Sequence, residues 1–93
     1  MPFPSYDKDP NSLLDYRFEW EGWLQEGEVI ASVSITKVGS DLVIADQTWN
    51  DSTSVTVWVS GGRIGQYTTV TVQITTNQGR RDNRSILLVI KER

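Results

Sequence analysis

Strict two-residue alternation, broken at short intervals by turn residues, constrains this chain more than any other feature. Between Gly61 and Arg80 it is plain: Val70, Val72 and Ile74 alternate with Thr69, Thr71, Gln73 and Thr75. Gly61-Gly62 precedes that run and Asn77-Gln78-Gly79 follows it. Successive side chains of a strand point to opposite faces, so this pattern predicts a strand with one buried face. The same period recurs elsewhere. Tyr16, Phe18 and Trp20 alternate with Asp15, Arg17 and Glu19. Val29, Ala31, Val33 and Ile35 are set against Ser32, Ser34 and Thr36, and Val55, Val57 and Val59 against Ser54, Thr56, Trp58 and Ser60. Leu42 to Ala45 is a short apolar strand after the turn signal Gly39-Ser40-Asp41.

Two places depart from the period. Tyr67 is out of phase with Val70, which a bulge corrects unless the ring lies on the outer face. Ile86-Leu87-Leu88-Val89-Ile90 does not alternate, so a cover is expected over its outer face: the N-terminal arm or another protein. Gly61-Gly62 reads as a hairpin turn. No segment has helical periodicity. The expectation is an all-β, immunoglobulin-like antiparallel sandwich of six or seven strands, with a small barrel as the alternative. Residues 1–12 hold all three prolines and read as an extended arm, leaving residues 13–93 as the sandwich domain.

With 93 residues, one domain is expected, and its core draws on four Trp, three Tyr and two Phe. There is no cysteine, so neither a disulfide framework nor a thiolate metal site is possible. There is no histidine either, which removes the commonest general base and nitrogen ligand. The net charge of −3 is unevenly spread along the chain. Residues 1–51 carry three basic and ten acidic residues; residues 52–93 carry six basic and two acidic. That asymmetry suits head-to-tail stacking of subunits, against a bland reading of two unrelated solvated surfaces. Overall acidity argues against a nucleic-acid partner. The N-terminus lacks the apolar core of a signal peptide, and no apolar run approaches a membrane span of about 20 residues.

Catalytic readings find little support. Glu19 with Glu21, and Glu26 with Glu28, are same-face pairs expected to be solvated, whereas carboxylates that transfer protons need burial to shift their pKa values. Asp46, Asn50 and Asp51 lack the spacing of a calcium loop and read as turn residues. Gly61, Gly62 and Gly65 precede a strand rather than the helix a phosphate cradle needs. No catalytic residue, cofactor or metal site is therefore expected. The candidates that remain are contact residues. Phe3 and Tyr6 are apolar groups on the arm. Trp58 stands on an otherwise polar strand face, and Arg80, Arg81 and Arg84 cluster at a hairpin.

The chain resembles a family of small tailed-phage proteins, the fiber–tail adaptor or neck/tail structural proteins. The resemblance rests on an ordered set: Tyr6-Asp7-Lys8-Asp9-Pro10; Leu14 to Trp20 with Trp23-Leu24; Ser60-Gly61-Gly62 with Gly65 and Tyr67; Ile74-Thr75-Thr76 with Gly79-Arg80; and Asp82 with Arg84-Ser85. Tyr67 falls one residue earlier than the family pattern leads one to expect, and Asp41 to Asp51 matches nothing in it. The resemblance implies a non-enzymatic virion protein, assembled in the host bacterial cytoplasm. Its expected partners are neck, tail, fiber or portal components, and further copies of itself in a ring or similar assembly, with no nucleic acid and no membrane. Two other roles suit a small sandwich: capsid decoration, and carbohydrate or surface binding through Trp49, Trp58 and Tyr67.

Overall fold

Residues 4–39, 41–44 and 49–92 are described by a computed structural model of the protein. These residues form eight strands: β1 (Ser5–Lys8), β2 (Leu13–Glu19), β3 (Ile30–Val38), β4 (Leu42–Ile44), β5 (Trp49–Asn50), β6 (Ser54–Gly61), β7 (Tyr67–Thr76) and β8 (Arg81–Ile90). They build two layers. One sheet has the order β1-β8-β7-β3; the other has β2-β6-β4, with β5 also on β6. Placing the second, fourth and sixth strands in one layer and the third, seventh and eighth in the other matches the B, E, D and C, F, G partition of immunoglobulin-type sandwiches. The strands beyond the expected six or seven are β1, in the segment read as an arm, and the two-residue β5.

The core sits where the alternation puts it. Val55, Val57 and Val59 from β6 and Val70, Val72 and Ile74 from β7 are fully buried, facing one another across the layers. Phe18, Trp20, Leu42, Ile86, Leu88 and Ile90 complete most of the cluster. β-branched residues fit a pleated surface well, and each fully buried Val or Ile contributes about 1.5–3 kcal/mol.

Three local expectations change. The alternation of β3 slips, because a register shift between Ile30 and Ser32 makes Ala31 the extra residue of a bulge. Ile30 is therefore buried, Val33 and Ile35 pack against the core, and Val29 and Ala31 face solvent. Gly61-Gly62 is not a hairpin turn: it carries the chain from β6 in one sheet to β7 in the other. Gly62 has φ +104, and a Cβ there would stand 2.9 Å from Cδ1 of Ile90, so a larger residue would be strained and crowded. The arm does not lie over the outer face of β8. Ser5–Lys8 instead extends the sheet beside it, in parallel, with Ser5 opposite Leu87 and Lys8 opposite Ile90. The amide of Leu87 donates to the carbonyl of Pro4 at 2.9 Å, and that of Lys91 to the carbonyl of Lys8 at 3.0 Å. Backbone groups at a sheet edge need partners, and β1 satisfies those of β8 while leaving Leu87 and Val89 half-buried on the outer face.

Candidate functional site

The register gives the sandwich two ends of different chemistry. At one end lie the β7–β8 hairpin, residues 20–29 and residues 51–54. The carboxylate of Glu28 is buried there and accepts hydrogen bonds from Arg80 through both its oxygens. The Arg80 Nε–Oε2 distance is 2.9 Å. The Thr76 hydroxyl donates to Oε2 at 2.6 Å and the Gln25 amide to Oε1 at 3.0 Å. The forked bond from Arg80, helped by these donors, holds the Glu28 carboxyl down at about 2 against the opposing cost of burial. The guanidinium of Arg80 lies 4.0 Å from the Trp23 ring centroid and donates to the Trp23 carbonyl at 3.2 Å. Nearby, the indole of Trp20 donates to Asp82 at 2.8 Å, and Arg84 stands over the Trp20 ring at 4.9 Å. Arg84 also pairs with Asp82 and donates to the carbonyl of Glu19. Asp51 closes the neighbouring turn by accepting from the amides of Thr53 and Ser54, which hold its carboxyl below the usual range.

The opposite end holds the chain starts and finishes of the other connections. Lys8 is fully buried there, and its ammonium donates to the carbonyls of Asp9, Ser12 and Gly61 at 3.0, 2.9 and 2.8 Å. It thereby ties β1, the β1–β2 turn and the end of β6 together. Burial lowers its pKa, and the nearby Asp9 only partly offsets this, because carbonyl dipoles replace water less completely than a full counter-charge does. Around this anchor the surface mixes exposed apolar side chains with paired charges. The described residues leave seven large apolar side chains exposed, and five of them (Leu13, Val38, Val43, Ile64 and Tyr67) sit at this end. The charges here pair with each other at the surface: Arg63 with Asp41, and Lys91 with Asp7, both at 3.2 Å.

The residues expected to make contacts are distributed as follows. Phe3 lies outside the described residues. Tyr6 is 44% exposed, its ring 5.2 Å from that of Tyr16 at the rim between the sheets. Trp58 is half-buried on the outer face of the three-stranded sheet, opposite Asp15. Arg80 and Arg84 are engaged within the chain, as above, and Arg81 is exposed on the four-stranded sheet. The arginine cluster is thus split between internal anchors and one outward cation. Tyr67 stands on the outer face of the four-stranded sheet, so it and Trp58 are on opposite sides of the sandwich and form no common stacking platform. The exposed apolar end was not visible in the sequence as a unit. Its members come from β2, β3, β4, β7 and the 62–66 loop, and only the fold brings them together.

The charge asymmetry along the chain is likewise consumed by folding. Glu28–Arg80, Asp41–Arg63 and Asp7–Lys91 each join the acidic half to the basic half within one molecule. The strands of the two halves are interleaved in both sheets, so no acidic pole faces a basic one.

A comparison with protein families resolves which kind of sandwich this is. Residues 8–89 match the family described as podophage GP4 fiber-tail adaptor protein gp77. The chain belongs to this family. The match begins at the buried Lys8 and ends one residue before Ile90, so it covers both ends of the sandwich and nearly all its core. The family is one of structural adaptors, and membership makes this chain a tail adaptor component of the phage virion that meets other tail and fiber proteins. No curated protein matches the chain.

Proposed function

We propose that this protein is a non-enzymatic module at the neck or tail of a podophage virion, and that it joins tail and fiber components through its apolar end and N-terminal arm. The observation that carries the reading is that Leu13, Val38, Val43, Ile64 and Tyr67 are all exposed at one end, Leu13 and Val43 on the outer face of one sheet and Val38 and Tyr67 on that of the other. Large apolar patches on soluble proteins mark contact sites, and well-packed apolar anchors supply most of the binding energy at an interface. The other end supports a structural role, since Arg80 and Arg84 are held there by Glu28, Asp82, Trp20 and Trp23. On this reading the sandwich is a rigid spacer. The buried Lys8 anchors β1 in the sheet, so that the partly exposed Tyr6 is offered to a neighbour at the rim, and Phe3, ahead of it in the sequence, joins that contact.

The test is quantitative mass spectrometry of purified particles, counting copies relative to the major capsid protein. A handful of copies per particle, lost in an Ile64→Asp variant and in one lacking residues 2–4, supports the adaptor reading. Copies near one per capsid subunit would move the protein to the shell as a decoration protein. Normal incorporation of both variants would remove the apolar end and the arm from the mechanism.

A further inference from the structure

The outer face of the four-stranded sheet is nearly free of charge in a chain whose residues are 23% charged. The register sets it out in rows. Val38, Thr69, Leu87 and Ser5 lie across β3, β7, β8 and β1, and Tyr67 and Val89 lie beside them. Thr36, Thr71 and Ser85 form the next row, followed by rows of Ser, Thr, Gln and Asn. Among the described strand residues only Asp7 and Arg81, at opposite ends of the face, are ionised on it, and Asp7 pairs with Lys91 just past β8. At the centre, the Thr71 and Ser85 hydroxyls already bond each other at 2.8 Å, so covering them strands less hydrogen-bonding capacity than covering unpaired hydroxyls.

The edges of this sheet are guarded where the face is not. The edge strand β3 carries a bulge at Ala31 and turns the charged Lys37 to the inner side, opposite Val70. The other edge strand, β1, is four residues long and follows Pro4. Bulges, inward charges, short edge strands and proline all discourage strand-to-strand addition, which leaves the face as the open route to association.

We infer that this face packs against the same face of a second copy, about a two-fold axis running along the strands between β7 and β8. Two observations select that occupant. Every other described surface of this chain presents charge: Asp15, Arg17 and Glu19 on the opposite sheet, and Glu21 and Glu26 at the polar end. The best complement this molecule offers to an uncharged face is therefore that face itself, since burying an unpaired charge is costly. The axis also lays Val89 on Tyr67 and Leu87 on Thr69 of the second copy, and keeps the two Arg81 side chains on opposite sides of it. The second observation is area. β7 and β8 give five outward positions each, β3 four and β1 two; at about 4.8 Å by 6.8 Å apiece these cover roughly 520 Å2 per copy, or about 1,050 Å2 in all, just above the roughly 1,000 Å2 that a specific interface needs. The apolar end stays open beyond the dimer through Leu13 and Val43, which face away from this sheet.

The experiment is sedimentation equilibrium of the 93-residue protein up to about 500 µM, with two variants. A dimer is expected for the wild type. Thr71→Arg, at the face centre, should weaken it roughly 100-fold or more by burying cations against each other. Leu13→Asp, on the opposite sheet, should leave it intact. Val38→Arg, on an exposed edge position of the same face, repeats the test where Thr71→Arg alters the melting curve. A wild type that stays monomeric throughout overturns the inference, as does any oligomer that survives both arginine variants. A monomeric protein whose Thr71→Arg variant fails to enter particles would give this face to another virion protein instead. None of these readings depends on where in the virion the protein sits.

Discussion

The two ends of the sandwich solve one problem in opposite ways. Each must close a gap between two sheets, and each buries an ion to do so. At the polar end the ion is Glu28, met by the fork of Arg80, the Thr76 hydroxyl and the Gln25 amide. At the apolar end it is Lys8, met by three backbone carbonyls and no carboxylate. The buried anion has a bonded counter-charge and titrates far below its ordinary range; the buried cation is bonded only to dipoles, and desolvation prevails over the attraction of the nearby Asp9. Where charges are matched internally, little is left for a partner. Where dipoles do the work, the surrounding surface leaves apolar side chains open for contact.

The sharpest way to break this comparison is to remove the polar end's largest side chain. Trp20 is fully buried, bonded to Asp82 and covered by Arg84, so Trp20→Ala should cost about 3–5 kcal/mol. At about 4–8 °C per kcal/mol for a domain of this size, a thermal melt should shift by roughly 12 °C or more. A shift of only a few degrees would mean that the indole is not a closure of the core.

Glu28→Gln should have the next largest effect, because it leaves Arg80 held under Trp23 without its carboxylate. The folded pKa of Glu28 is about 2, against an ordinary 4.5. Its contribution to stability is therefore full above 4.5 and lost as pH falls from there toward 2. Denaturant titrations across that window should show a steep acid limb in the wild type and a flatter one in Glu28→Gln. Equal limbs would refute the ion pair as the source.

Lys8→Met probes the other end and should be milder, at about 1–3 kcal/mol, since it strands buried carbonyls but removes a desolvated charge. Hydrogen exchange should quicken at Ser5–Lys8 and at the β8 amides bonded to it. The sign of the pH effect is the same here, in an alkaline window instead of an acid one. With the folded pKa below 10.5, the unfolded chain holds the proton more tightly, so stability should rise as pH climbs from the lowered value toward 10.5. Loss of that rise in Lys8→Met is the discriminating result.

The smallest effect on stability belongs to the exposed apolar end. Ile64→Asp should change stability by no more than about 0.5 kcal/mol, as surface substitutions do, while abolishing incorporation into particles. A large loss of stability would reclassify Ile64 as part of the core.

Legibility in the sequence followed the range of the cause. Alternation in β2, β6 and β7 named Phe18, Trp20, Val55, Val57, Val59, Val70, Val72 and Ile74 as core, because a side chain's facing is a local property of an extended backbone. It failed at Ala31, where one inserted residue reversed the phase and no composition signal marked it. It also failed at Gly61-Gly62, where glycine announced a turn but not that the turn changes sheets. Arg80 and Arg84 read as a solvent-facing cluster because their partners lie 52 and 65 residues away in sequence.

The sequence by itself determined the all-β architecture, most of the core, the absence of any thiol or imidazole chemistry and, through an ordered set of motifs, the adaptor family. Only the tertiary structure decided which charges are spent inside the molecule, and that five apolar side chains from separate segments share one end. The same holds for the charge-free face, whose rows are assembled by register from four strands that are distant in the chain. The physical reason is that periodicity fixes which side of a strand a residue takes, whereas partnership depends on strand order, and strand order is set by the packing of whole sheets.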